Sequence, residues 1–385
     1  MAFLEPTLTP QPAESAPVSP EVGGVLTIDL VAIEANWKRL ASMTVPAECA
    51  AVVKADGYGC GIDVVTRQLL AAGCRTFFVA DIAEGRRVRA IAPQATIYVL
   101  SGIFPNTPPA LAEARLRPVI NSLTELAEWD AFVATHNWAG GAALHVDTGM
   151  NRLGLATEDA AAIAPRVQSA NHGFTLVMSH LACAETPDHP MNDKQIRAFR
   201  DVRIQFRGVP SSLANSSGIF LAGTVHCDLV RPGAALYGVN PMPGKPNPMR
   251  PVVGLLGRIL QVRHVKRGDT AGYCADWTAS RASRLAIIAV GYGDGYFRST
   301  AAARSKPAAS VMIAGKRCPI VGRVSMDMIA VDITDLPEGS AHRGDFATLI
   351  GAGIGVDDLA AAAGTIGYEV LTHLGRRYQR VYKTK

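Results

Sequence analysis

No apolar run in this chain approaches the roughly 18 residues that a membrane-crossing helix requires; the longest are short pieces such as LAIIAV. No block of five or more Lys and Arg occurs, and 38 basic against 33 acidic residues leave a net charge of only +5, so nucleic acid is not the default partner. No Cys-x-x-Cys pair and no Cys/His cluster with zinc spacing is present. The seven cysteines (Cys49, Cys60, Cys74, Cys183, Cys227, Cys274 and Cys318) are scattered, and the nine histidines form no His-x-x-x-His pair. A chain of 385 residues needs no disulfide framework, and an odd, scattered set of cysteines reads as a reduced, cytosolic protein. The first 24 residues hold five prolines and three glutamates but no Lys or Arg. That excludes a basic secretory start and an arginine-rich transit peptide, and it predicts a disordered tail.

What the chain has is apolar material: 48% of residues against 18% charged, enough for one or two large cores. From Val25 onward, short β-branched runs alternate with helical stretches. VLTID opens as a strand, and Asp29 is placed to cap the helix LVAIEANWKRL. Eight further runs follow: ECAAVVK (48–54), TFFVA (77–80 at its core), TIYVL (96–100), RPVI (117–120), AALHVD (142–147), FTLVMSH (174–180), SSLA (211–214) and CDLVR (227–231). Helical patterns separate nearly all of them. Alternating β and α elements imply a parallel sheet, and eight units imply closure into a (β/α)8 TIM-like barrel rather than an open doubly wound sheet. After the Pro-rich PMPGKPNPMRP (241–251) the texture changes to strand-like runs joined by turns, and helical periodicity returns only near 356–377. The expected organisation is a disordered tail (1–24), an α/β barrel (25–250) and a mostly β C-terminal domain (251–385). The opening strand 25–29 stands apart from the eight and is free to pack with the C-terminal domain.

In such a barrel, chemistry sits at the C-terminal ends of the strands. The first of the eight runs ends in Lys54, the fifth in Asp147 followed by TGMNR with Arg152, and the sixth in His180. The seventh runs into Asn215, Ser216 and Ser217, and the eighth ends in Arg231 before PGAALYG. Each residue alone reads equally well as a loop residue satisfying turn backbone, and Lys54 as a snorkelling strand end. Polar groups at the same end of five strands read instead as a site: a Schiff-base lysine near arginines and a phosphate cradle of small residues. GAGIG (351–355) follows a strand but lacks the spacing and the later acidic residue of a dinucleotide loop.

Seven segments carry a family resemblance: AVVKADGYGCG (51–61), HVDTGMNRLGL (145–155), ANSSG (214–218), LVRPGAALYG (229–238), AGYCADWTA (271–279), VGYGDGYFR (290–298) and VGRVSMDM (321–328). In this order they resemble the alanine racemases, and the resemblance spans residues 25–385. It implies pyridoxal 5′-phosphate (PLP) carried by Lys54, with Tyr273 as a second catalytic base reaching the site from a partner subunit. Arg152 matches the arginine that binds the substrate carboxylate, and Met326 a partner-subunit residue whose backbone N–H meets the same carboxylate. Tyr58, Ser216, Gly233, Ala234 and Tyr368 match positions around the phosphate. Arg231 matches the partner of the pyridine nitrogen, His180 a residue linked to it, and Tyr292 a tyrosine at the entrance. No metal is implied. The resemblance further implies a cytoplasmic homodimer that racemises alanine and supplies D-alanine for peptidoglycan.

Chemistry is consistent with those roles. Racemisation removes a proton from one face of Cα and returns one to the other, so two bases must flank a planar carbanion. Free Tyr and Lys titrate at about 10 and about 10.4, and nearby cations lower both. Other readings stay open: a racemase of broader range (serine, lysine), a decarboxylase of the same barrel-plus-β class, or a non-catalytic PLP-binding protein. The C-terminal third, with Tyr273 and Met326 in it, argues against the last. Two positions depart from the family pattern. Cys274 stands where Gly is common, and His145 stands where many members carry a lysine that becomes carbamylated. Strand alternation places His145 and Asp147 on the inner face, with Leu144 and Val146 toward the helices. His145 is then expected to support Arg152 indirectly, as neutral imidazole or beside an anion such as chloride.

Overall fold

The computed structural model of the chain describes residues 18–169, 173–221, 223–301 and 308–384. They gather into two compact units, neither continuous in sequence. One takes the chain as far as Val31, Val253–Ile354 and everything from Gly375; the other takes Ala32–Val252 and Gly355–Leu374. Strand β1 (Gly24–Asp29) belongs to the first.

The second unit is the barrel. Its strands are β2 (Glu48–Cys49), β3 (Ala51–Val52), β4 (Thr76–Val79), β5 (Thr96–Val99), β6 (Arg117–Ile120), β7 (Ala142–His145), β8 (Phe174–Met178), β9 (Ser211–Ser212) and β10 (Leu229–Val230). β3 to β9 pair in chain order. β10 pairs in parallel with β2, and the N–H groups of Asp228 and Arg231 donate to Ser211 O and Ala214 O, joining it to β9. β2 and β3 are one strand interrupted at Ala50, so eight parallel strands close the ring. Alternation does the rest: Val52, Phe78, Tyr98, Val119, Ala143, Leu176 and Met178 meet inside, with Phe78 stacked on Tyr98 at 5.0 Å. Leu144 and Val146, which alternate with Ala143 and His145, are fully buried.

The helices between these strands fall where the apolar spacing places them, at Leu30–Thr44, Ile62–Ala72, Ile82–Ile91, Leu123–His136, Thr157–Ile163 and Pro190–Gln205. Side-chain caps start three of them: Asp81 accepts from Glu84 N–H at 2.9 Å, Ser122 from Glu125 N–H at 3.1 Å, and His189 Nδ1 from Met191 N–H at 3.1 Å. A short helix at Pro108–Glu113 was not foreseen, because six residues carry too little periodicity to see.

In the other unit, the long strand β11 (Val253–Val265) is followed by the small pair β12 (Thr270–Ala271) and β13 (Trp277–Thr278). Then come β14 (Ser283–Ile288), β15 (Ser310–Ile313), β16 (Lys316–Val321), β17 (Ile329–Asp332), β18 (Phe346–Ile350) and β19 (Gln379–Lys383). β11 pairs with β18 along its first half and with β14 along its second, across an irregularity between Ile259 and Gln261. The order β14-β17-β16-β15-β18-β11 therefore closes on itself. β1 lies antiparallel to β11 and parallel to β19. GAGIG is a turn, with Gly351 bridged to Ile354.

A division of the chain at residue 250/251 needs one correction. Residues 355–374 group with the barrel, because their helices Val356–Ala363 and Gly367–His373 bury Leu359, Val370 and Leu371, and Asp357 accepts the Asn240 N–H at 2.9 Å. Residues 1–17 of the tail lie outside the described residues. The end of the tail is held: Ser19 N–H donates to Gln379 Oε1 at 2.8 Å, and Arg258 donates to Val22 O and Ser19 O. Among the described residues no helix is long and apolar enough to cross a membrane.

One contact fixes the C-terminal helices to the turn after β3. Gly59 has φ +76°, and a Cβ built there would lie 2.2 Å from Leu371 O. Gly59→Ala is expected to lower stability by ~2 kcal/mol or more, since it adds both a left-handed penalty and a backbone clash. Urea unfolding midpoints of the two proteins check this.

Candidate active site

The strand β3 leads through Val53 into Lys54, and the chain then turns left-handed. Ala55 (φ 54°), Asp56 (53°), Gly57 (63°) and Tyr58 (51°) adopt this conformation in succession. For residues other than glycine it costs about 1–2 kcal/mol each, so neighbouring groups must hold it. Gly57 N–H donates to Val53 O and Gly59 N–H to Ala55 O, both at 2.8 Å. The Glu84 carboxylate accepts from Asp56 N–H at 3.1 Å and Ala80 N–H at 2.8 Å. The Asp56 carboxylate accepts from Ile62 N–H at 3.1 Å and Arg87 at 2.8 Å. The turn brings Lys54 and Tyr58 to one cavity.

That cavity, of about 830 Å³, lies at the C-terminal ends of the barrel strands and is lined by Lys54, Arg152, His180, Ser216, Arg231 and Tyr368 among others. Among the described residues Lys54 Nζ has no hydrogen-bond or ion-pair partner. Burial, then Arg152, lowers its pKa, with Glu84 opposing. Arg152 is exposed at the cavity edge and likewise unpaired among the described residues. Its loop is folded by Asp147, whose carboxylate accepts the N–H groups of Gly149, Met150 and Asn151 at 2.8–2.9 Å.

Arg231 is 4% exposed. Its guanidinium donates to Ser212 Oγ and, at 2.6 Å, to Ser179 O, and it approaches His180 Nδ1 at 3.5 Å. Burial lowers its pKa only to about 10, so it stays charged at neutral pH. Three of its five N–H groups are accounted for, which leaves donors for a ring acceptor. Burial and the charge of Arg231 hold His180 well below its ordinary value. His145 is buried, and its Nδ1 lies 2.8 Å from Asn121 Oδ1. Asn121 Nδ2 donates to Val119 O, so its oxygen faces the histidine and the imidazole proton sits on Nδ1. Burial, then Arg231, pushes His145 down to about 4, and it is neutral with a free Nε2 lone pair.

A second group of donors forms a cradle. Ser216 Oγ accepts from Gly233 N–H at 3.0 Å and Ala235 N–H at 3.2 Å, so its own proton is left to donate. Of the two backbone donors expected here, Gly233 is thus spent. Ala234, first residue of the turn Ala234–Tyr237, keeps an N–H without an intrahelical partner. Tyr58 stacks on Tyr237 at 4.6 Å, and its hydroxyl presses on Gly233, where a Cβ would come within 2.3 Å. Burial raises the Tyr58 pKa, which keeps it a donor. Tyr368 also lines the cavity; its hydroxyl donates to Glu185 at 3.0 Å, and burial, then Glu185, pushes it up to about 12.

Tyr273, Met326 and Tyr292 lie in the β unit, each with a large exposed side chain; Tyr273 is 65% exposed. Tyr273 opens the turn between β12 and β13. Cys274 beside it has φ 61°, a conformation that glycine adopts without strain, and its Sγ meets Arg323 Nη1 at 3.5 Å. The Tyr292 and Met326 loops are clamped together: Gly293 N–H donates to Met326 O at 2.8 Å, and Arg377 bridges Asp294 and Asp327.

Three contributing residues escaped the sequence reading. Asn121 directly follows β6, so the rule that picked His180 and Arg231 would have found it. Gln195 is buried and joins two loops, donating to Thr148 Oγ1 at 3.3 Å in one and to His180 O at 2.8 Å in the other. Glu84 looks in sequence only like the third residue of a capped helix.

Comparison with known proteins follows the same lines. Residues 28–241 match the family described as alanine racemase, N-terminal domain, and residues 252–382 the alanine racemase, C-terminal domain. An alanine racemase of Methylobacterium sp. (strain 4-46) is 50% identical over 94% of this chain and 98% of its own length. A biosynthetic alanine racemase of Agrobacterium fabrum is 46% identical over 93% of both chains. The crystal structure of alanine racemase from Bartonella henselae with covalently bound pyridoxal phosphate superposes with a TM-score of 0.88 at 38% identity, covering 94% of this chain and 99% of that one.

The two depressed histidines make stability depend on pH. His145 and His180 are neutral when folded but bind a proton near the ordinary value of about 6.5 when unfolded, so the unfolded state binds more protons below that pH. Stability is therefore expected to be full above about pH 6.5 and to fall as pH drops toward about 4. His145→Gln should flatten the slope by up to about one proton. Urea midpoints measured across this range check it.

Proposed function

The chain belongs to the alanine racemase family: it is an amino-acid isomerase that works with pyridoxal 5′-phosphate, and we propose that it interconverts L-alanine and D-alanine with two bases, Lys54 and Tyr273. The observation that carries the assignment is Lys54, an unpaired amine with lowered proton affinity at the end of a barrel strand, facing a cradle of neutral donors. The residues fit the cofactor: a Tyr58 hydroxyl with no hydrogen-bond partner among the described residues, a glycine against it where no Cβ fits, and a charged arginine with donors to spare. Tyr58, Ser216 and Ala234 would hold the phosphate, while Tyr368, whose own proton goes to Glu185, lines the same cavity; Lys54 would hold the carbonyl carbon, and Arg231, steadied by His180, the ring nitrogen. When bound, PLP supplies delocalisation of negative charge from the substrate Cα.

The protein's own groups do the rest. Arg152 binds the carboxylate with two parallel N–H donors, and the backbone N–H of Met326 adds a third. Lys54 moves the proton on one face of Cα, its affinity brought toward the working pH by burial and by Arg152. Tyr273 moves it on the other. Arg231 cannot accept a proton, so it leaves the ring nitrogen unprotonated; this weakens charge withdrawal and limits side reactions. His145, neutral and tied to Asn121, would support Arg152 by offering its Nε2 lone pair when the arginine engages a carboxylate, without an anion. Tyr292 lies at the entrance. Tyr273, Met326 and Tyr292 act in the partner's site of a homodimer, a reading supported by their exposure on one unit. A cytoplasmic location and supply of D-alanine for peptidoglycan belong to the same proposal; the scattered cysteines support a reducing compartment.

Two experiments test this. The protein with PLP should absorb at roughly 420 nm, form D-alanine from L-alanine far faster than it racemises serine or lysine, and on borohydride reduction carry the cofactor on the peptide containing Lys54. Label on another lysine sinks the assignment. Separately, Tyr273→Phe should slow proton abstraction from L-alanine by about 100-fold or more and from D-alanine far less. Mixing Lys54→Ala with Tyr273→Phe subunits should restore part of the activity, and a fully active monomer would refute the shared site.

A further inference from the structure

We propose that Glu84, which does not line the cavity, is a positioning residue for the cofactor site: its carboxylate holds the left-handed turn at residues 55–58 that aims Lys54 and Tyr58. This rests on the assignment of Lys54 as the PLP lysine. Three of the four turn residues are not glycine, and all four have positive φ. A turn of this kind persists only where its surroundings over-determine it. The backbone bonds of the turn run to Val53, Ala55, Asp56 and Gly57, within the same stretch of chain. Glu84 is the carboxylate from outside that stretch which binds its backbone, taking Asp56 N–H on one oxygen and Ala80 N–H, at the end of β4, on the other. The turn is thereby tied to the neighbouring barrel strand. Arg87 adds a bridge to Asp56 and Asp63, but all three side chains are about half exposed (46%, 49% and 46%), so water screens that contact and Glu84 carries the load. Released from Glu84, the turn would relax toward ordinary backbone angles. That would swing Lys54, on one side, and Tyr58, on the other, away from the places where they face Arg152 and Gly233.

The strain offers a test that ordinary destabilisation does not pass. Ala55→Gly leaves every hydrogen bond of the turn in place and removes one left-handed penalty. PLP is titrated into the cofactor-free protein, and the bound fraction is read from its absorption band rather than from turnover. Glu84→Ala is expected to weaken PLP binding about tenfold and Glu84→Gln about threefold. Ala55→Gly added to either variant should recover most of the loss, while alone it changes affinity by less than about twofold. Should Glu84→Ala fail to fold, the Glu84→Gln pair decides alone. Affinity within about twofold of the unmutated chain in both Glu84 variants, or a loss that Ala55→Gly does not repair, overturns the inference. Failure of the unmutated chain to bind PLP is a different outcome: it overturns the cofactor assignment itself, and the role of Glu84 with it.

Discussion

Among the described residues the ammonium of Lys54 has no carboxylate or carbonyl bonded to it, and it shares its cavity with two arginines. Three cationic groups facing one space repel, and burial makes water a poor remedy. The site answers by letting Lys54 bind its proton weakly, keeping His145 and His180 neutral, and leaving Arg231 charged because guanidinium has no lower state to reach near neutral pH. An electropositive cavity of this kind is complementary to a ligand pair carrying a phosphate and a carboxylate. The cradle at Tyr58 and Ser216 offers neutral donors, and the two arginines charged ones, so the cavity has two kinds of place for anionic groups.

The sequence shows most of this because barrel geometry is written in a short period. Several of the β-branched runs end in a residue that lines the cavity, and reading off strand ends yields Lys54, His180 and Arg231 without knowledge of the fold in three dimensions. The eighth strand is nearly invisible as a ladder, only Leu229–Val230, yet its loop residues declare it. The inner place of His145 follows from alternation alone. Its charge state does not, because that follows from burial and from Arg231, and its tautomer from Asn121, 24 residues earlier.

What stayed illegible has a common cause. The helices at 356–373 carry an ordinary apolar face, and nothing local says which core receives it; the decision rests on Gly59 and Asn240, more than a hundred residues away. β19 is short and half-buried, and it gains its strand character only beside β1. Glu84 satisfies a helix-capping pattern completely, so no residue is left over in the sequence to suggest a second duty.

The pairing of β1 with β11 and β19 has a consequence for how the molecule is made. The chain passes between the two units four times, at residues 31/32, 252/253, 354/355 and 374/375. During synthesis β1 leaves the ribosome with an open edge on both sides, and its antiparallel neighbour appears only after the whole barrel segment has been translated. The parallel neighbour, β19, follows later still, after the rest of the β unit's strands. An unpaired strand of buried residues is a template for foreign strands while it waits. β1 therefore stays open for as long as translation of the barrel segment takes, and pairing with β11 ends that exposure on one edge.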